Sequence, residues 1–126
     1  MPGTSRSLLE CESVGDVTIA RVKPQMLPGD ETTEELFRQL GALIDEAGCR
    51  KIVLNLSAVQ YLASMALGRL VALVARARAA QARLVLCQAT PTVERTLEVT
   101  HLAEVLTIYA DERAATQSFQ GGPAQP

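Results

Sequence analysis

Apolar positions along this chain follow two periods, and the changes from one to the other mark its elements. Lys51 to Leu56 carries the aliphatic run Ile52-Val53-Leu54, which suits a strand covered on both faces of a largely parallel sheet. From there the rhythm changes: Leu67, Leu70, Val71, Val74 and Ala77 fall at the i, i+3, i+4, i+7 spacing of a helix with one side on a core. Ser64 stands between the two, where an N-cap belongs. A serine there sets its oxygen beside unpaired backbone N–H groups and the positive end of the helix dipole, a place that also suits a phosphate.

The same reading extends both ways. Leu8 to Ser13 and Val17 to Val22 flank the turn dipeptide Gly15-Asp16 and predict a hairpin, with the first strand, bearing Glu10 and Glu12, at a sheet edge. Pro24, Pro28 and Gly29 break the chain before Thr32, which with Glu35 three residues on predicts a capping box. The helix that follows places Leu36, Leu40, Leu43, Ile44 and Ala47 on one face and stops at Gly48. Arg83 to Cys87 predicts a second buried strand. Thr90 then caps a short helix with Pro91 at its first position and Val93, Leu97 and Thr100 inward. Thr107-Ile108-Tyr109 predicts a last strand, and Asp111 caps a helix running to about Phe119. Strands alternating with helices imply an α/β fold: one domain over residues 8–119, a mixed sheet of four to five strands with a parallel centre and an antiparallel edge hairpin, and about four helices. Residues 1–7 and the polar Gly/Pro stretch 120–126 are expected to be flexible ends.

Composition narrows this further. A chain of 126 residues fits one core. It is 48% apolar but only 3% aromatic, so that core is built from Leu, Val, Ile and Ala. A formal charge of −2 and a pI near 5.4 argue against a nucleic-acid partner, which needs a concentrated positive surface. No apolar run approaches the ~20 residues of a membrane span, and the start lacks the apolar core of a secretory signal. The expectation is a cytoplasmic protein. Cys11, Cys49 and Cys87 are scattered, without CxxC or Cys/His metal spacing, and read as reduced, part-buried thiols.

No nucleophile with its base, acid/base pair or metal shell can be assembled from these residues, so neither catalysis nor a cofactor is expected. The only histidine, His101, follows the third predicted helix, where a left-handed C-cap is its ordinary role. Glu34, Glu35, Asp45 and Glu46 fall on a predicted solvent face.

The central segment resembles the STAS domain family, the module named after sulfate transporters and anti-sigma-factor antagonists. Members carry an apolar strand, a short loop and an Asp-Ser-Ser-Gly-Leu-Gly-like motif opening a helix; the matching residues here are Ala63-Ser64-Met65-Ala66-Leu67-Gly68. Arg83 to Cys87, Thr90 to Val93 and Thr100-His101-Leu102 resemble the family's following strand, helix and turn. The resemblance implies a STAS-like fold and a regulatory, non-enzymatic function. In that family a kinase that also binds a sigma factor phosphorylates the motif serine, and the unphosphorylated form captures the kinase. Ser64 is the implied phospho-acceptor and an anti-sigma factor of serine-kinase type the implied partner; the contact surface is expected at Asp30, at Ala63 and Ala66 of the motif, and at Met65, Gly68, Arg69 and Ala72, which lie off the core stripe of the helix, with a homodimer left open. Two residues depart from the motif: its acid is Ala63 and its glycine is Ala66. These departures favour a rival reading, a constitutive STAS scaffold of a transporter or signalling assembly in which Ser64 only caps. A small-ligand sensor is a third class, and no phosphate-cradling glycine loop supports it.

Overall fold

A computed structural model of the chain describes residues 8–120, apart from the side chain of Gln120. Strands β1 (Leu9–Val14) and β2 (Val17–Val22) form the predicted antiparallel hairpin. It turns at Gly15, whose φ of +63° lies where glycine carries no steric penalty. There follow β3 (Met26–Leu27), α1 (Glu31–Asp45), β4 (Lys51–Asn55), β5 (Tyr61–Leu62), α2 (Ser64–Ala79), β6 (Arg83–Cys87), α3 (Pro91–Val99), a 3-10 turn (Leu102–Glu104), β7 (Ile108–Tyr109) and α4 (Glu112–Gln120). The main sheet has five strands in the order β1-β2-β4-β6-β7. Only the β1/β2 pair is antiparallel. A second sheet consists of β3 and β5 alone, paired in parallel.

The continuous apolar run of β4 follows from burial on both faces. Ile52 and Leu54 enter the large core layer with Leu36, Leu40 and Ile44 of α1 and Leu67, Leu70 and Leu73 of α2. Val53, one residue out of phase, joins Val17, Ile19, Val85 and Cys87 under Ala115 and Phe119 of α4. Leu36, Leu40 and Ile44 are at most 2% exposed, and each such side chain stabilises the fold by roughly 1.5–3 kcal/mol.

The helices sit about where their periodicity places them, with local corrections. α1 buries Leu36, Phe37, Leu40, Gly41 and Ile44; Leu43 is half-buried and Ala47, beyond the helix end, is exposed. α2 buries Ala66, Leu67, Leu70, Leu73 and Ala77, while Val71 and Val74 are only half-buried. The stripe is turned because α2 packs against β6 and α1 together, which brings Leu73 inward. Gly41 marks where Arg76 crosses α1: a β-carbon there would lie 2.8 Å from Arg76 Nη1, whose guanidinium reaches Asp45.

Thr90 accepts from the Val93 N–H (3.4 Å), with Pro91 next and Val93 and Leu97 buried. Thr100 is exposed, its hydroxyl donating to the Thr96 carbonyl at 2.8 Å. His101 holds a left-handed backbone, φ +63°. Asp111 caps α4 by accepting from the Ala114 N–H at 2.8 Å. All three cysteines are free, and Cys11 is exposed rather than part-buried. Burial, with Glu112 and Asp111 nearby, pushes the Cys87 thiol up to about 12. Of the expected flexible ends, Gln120 closes α4, and residues 1–7 and 121–126 lie outside the described residues.

Candidate functional site

Ser64 is the first residue of α2 and Ala63 holds the cap position, with φ −78° and ψ 166° and no side-chain hydrogen bond. The expected N-cap is thus displaced by one residue. The hydroxyl nevertheless lies at the helix start and is exposed. No acidic residue occupies the first turn of α2, so its positive pole meets neither a cap nor a carboxylate from its own helix.

Asp30 is the N-cap of α1, in place of the predicted Thr32. Its Oδ1 accepts from the Thr33 N–H (3.0 Å) and the Thr33 hydroxyl (3.1 Å), and the Gly29 N–H donates to the same hydroxyl at 3.0 Å. Thr33 is fully buried and reaches back to both residues, so α1 starts earlier than a Thr32 cap would allow. Glu35, free of the predicted box, instead accepts from Arg38 and Gln39. The Thr33 N–H, foremost, holds the Asp30 carboxyl below its ordinary range.

Main-chain bonds bring the two helix starts to one rim. Leu27 pairs with Leu62, the Ala63 N–H donates to the Leu27 carbonyl at 3.0 Å, and the Gln60 N–H donates to the Gln25 carbonyl at 2.7 Å. Met65 lies against Gly29. Around Ser64 this leaves three large apolar side chains in solvent: Met26 (54% exposed), Tyr61 (45%) and Met65 (42%). Met26 and Tyr61 are direct neighbours in the β3/β5 register. Neither was legible as a site residue, because a two-residue strand has no period; the available signal was a Met and a Tyr standing outside any apolar stripe.

Gly68, Arg69 and Ala72 continue the exposed surface. Ala66 does not: it is 0% exposed, and its place on the expected contact surface is corrected to the core. Arg69 donates to Glu34 at 2.6 Å, closing one end of a groove of about 490 Å³ between α1 and α2 whose walls include Phe37, Ala72 and Leu73. Gly68 is different in kind. A β-carbon there would meet nothing within 4 Å, so no internal contact requires a glycine that costs a helix interior about 1 kcal/mol relative to alanine.

The loop leading to Ser64 is tied down from below. Asn55, buried at the end of β4, accepts from the Ser57 N–H (2.8 Å) and donates to Gln88 (3.0 Å) and to Glu112 of α4 (2.6 Å). Glu112 also takes two bonds from Arg21, at 2.7 and 2.9 Å, and with Asn55 these hold its carboxyl below the ordinary range. Thr90 donates to the Val59 carbonyl at 3.0 Å. Among the described residues there is no cluster of His, Cys, Asp and Glu that could hold a metal, and His101 sits at the surface beside Glu104. No helix among them is long and apolar enough to cross a membrane.

The chain belongs to the STAS domain family, whose model matches residues 10–115. It is 34% identical over 88 residues, 69% of this chain and 74% of the relative, to a Bordetella bronchiseptica protein provisionally named the anti-sigma factor antagonist BtrV. An anti-sigma-factor antagonist (STAS) domain protein from Planctomyces limnophilus superposes with a TM-score of 0.74 at 25% identity, over 90% of this chain and 98% of that one. SpoIIAA of Bacillus in its unphosphorylated form gives a TM-score of 0.73 at 18% identity, covering 90% and 96%. The protein is therefore an anti-sigma-factor-antagonist-like STAS domain, with the mixed α/β fold of those neighbours.

Proposed function

We propose that this chain is a non-catalytic switch that captures an anti-sigma factor of serine-kinase type and releases it when Ser64 is phosphorylated. The observation that carries the reading is the exposed Ser64 at the start of α2, on one rim with the capped Asp30 loop and the solvent-facing Met26, Tyr61 and Met65. Apolar anchors beside a modifiable serine hydroxyl suit an interface that one charge can break. The vacant space at Gly68 lets a partner's backbone come close. The relatives named as anti-sigma factor antagonists, and the unphosphorylated form specified for SpoIIAA, support the same direction.

Magnitudes give the sign of the switch. A phosphate adds about −2 charge, and the pole of α2 stabilises an anion by only ~0.3–1 kcal/mol, up to ~2 in a favourable site. An unpaired charge buried at an interface costs roughly 2–5 kcal/mol. Arg69 and Arg76, exposed cations of this helix face, are already engaged by Glu34 and Asp45. Release follows unless the partner supplies an arginine.

The test is incubation with ATP and serine kinases encoded in the same genome, read by intact mass, with affinities for wild type, Ser64→Ala and Ser64→Asp. The expected result is one phosphate, absent from Ser64→Ala, and binding lost in Ser64→Asp alone. Ala63, which offers no acceptor where the motif has an acid, favours a second reading, a constitutive scaffold. Equal affinity of all three proteins would decide for that one.

A further inference from the structure

At the end of the molecule opposite Ser64, main-chain pairing gathers positive charge. Lys51 and Arg83 open the neighbouring strands β4 and β6 and are register partners. The Arg83 N–H donates to the Arg50 carbonyl at 2.8 Å, which sets Arg50 beside them. Arg78, in the last turn of α2, closes the group. These four side chains line an open cleft of about 610 Å³ with Gln81 and Phe119, and among the described residues no carboxylate lines it.

Most of this charge is uncompensated among the described residues, in a chain with more acids than bases, 14 to 12. Arg21, Arg38, Arg69 and Arg76 each hold a carboxylate. In the cleft only Lys51 does, bonded to Asp16 at 2.7 Å. Arg50 reaches the Cys49 carbonyl, Arg83 lies 5.6 Å over the Phe119 ring, and Arg78 stands in solvent; none of the three has an ion pair among the described residues. The negative pole of α2 accounts for Arg78, a stabilisation confined to the helix's last turn. It leaves Arg50, just before β4, and Arg83, at the start of β6 and held only by the Phe119 ring, without a carboxylate among the described residues.

We propose that this cleft docks a short acidic segment of a protein partner. Guanidinium groups bind carboxylates in paired hydrogen bonds, and the open shape admits an extended chain. A nucleic acid is the poorer fit, because its dense run of phosphates would pass from the cleft onto a net-negative surface with Asp16 at the margin. Arg78 is 14 residues from Ser64 on the same helix, roughly 21 Å along its axis. That distance exceeds the ~8–10 Å over which exposed charges act on one another in physiological salt. The cleft therefore binds in either phosphorylation state and tethers a partner that Ser64 has released.

The probe is a hexaglutamate peptide at low ionic strength, followed by the arginine side-chain resonances of the full chain. Shifts are expected at Arg50, Arg78 and Arg83, affinity should fall about tenfold or more in the Arg78→Glu/Arg83→Glu variant, and Ser64→Asp should bind as wild type does. Arg50→Gln and Arg78→Gln, which leave the Phe119 contact intact, should each weaken binding by a smaller factor with unchanged circular dichroism. Absence of binding, or shifts confined to other arginines, overturns the proposal. So does selective binding of pyrophosphate or of phosphatidylserine vesicles over the peptide, which would assign the cleft to a phosphorylated metabolite or a membrane.

Discussion

Gly29 faces Met65 across the gap between the two helix starts: a β-carbon on Gly29 would lie 3.4 Å from Met65 Sδ and 3.5 Å from its Cβ. The spacing is an ordinary contact, so room is not what makes Gly29 necessary. Its φ of +96° is. A side chain in that region costs ~1–2 kcal/mol, and the backbone can relieve it only by moving the Asp30 cap relative to Ser64.

Gly29→Ala is accordingly expected to lower the unfolding free energy by about 1–2 kcal/mol in urea titrations. Capture of an anti-sigma factor should weaken beyond that, because the two halves of the rim shift apart. A variant with unchanged affinity would mean that the Asp30 loop lies outside the interface.

Gly68→Ala should do the opposite to stability. Its φ is helical and nothing lies near the added methyl, so the helix gains up to about 1 kcal/mol. If a partner's backbone approaches this face, the same methyl obstructs it. A rise in Tm with a fall in affinity is the expected pair of results, and a rise in both would remove Gly68 from the contact surface.

Much of this architecture was legible in the residues. The run Ile52-Val53-Leu54 reads as a doubly covered strand because its alternate side chains do serve two layers, and Thr90-Pro91 and Asp111 start their helices by local chemistry alone. What the pattern could not supply was tertiary. Leu73 is inward and Val71 half-exposed because α1 lies beside α2. Asp30 outcompetes Thr32 because a buried Thr33 reaches back to it. Met26 and Tyr61 become neighbours only when two short strands far apart in sequence pair.

Acid should loosen the base of the site. The Arg21 hydrogen bonds, then Asn55, lower the folded-state pKa of Glu112. The stability this contributes is present above the unfolded carboxylate value, ~4.3, and is lost as pH falls through the lower folded value. Glu112→Gln should cost roughly 1 kcal/mol near neutral pH, a figure kept small by solvent screening of Arg21. Its deficit relative to wild type should shrink as pH drops below about 4. Thermal melts across that range check the prediction, and a deficit that does not change with pH would sink it.

Ala63 offers the sharpest separation of stability from function. It already has the extended backbone of a cap and lacks only an acceptor, so Ala63→Asp can take a first-turn N–H of α2 and should stabilise the protein by ~0.5–2 kcal/mol. Ser64→Asp, one position inside the helix, should gain only the dipole contribution of ~0.3–1 kcal/mol. The two variants then divide in binding. Ala63→Asp restores the acid of the family motif, and phosphorylation of Ser64 by a cognate kinase should become faster. Ser64→Asp should lose that kinase while melting higher than wild type, which makes misfolding no explanation for the loss. If Ala63→Asp is more stable yet phosphorylated no faster, the motif's acid serves the helix alone, and the kinase reads Ser64 through the apolar rim of Met26, Tyr61 and Met65.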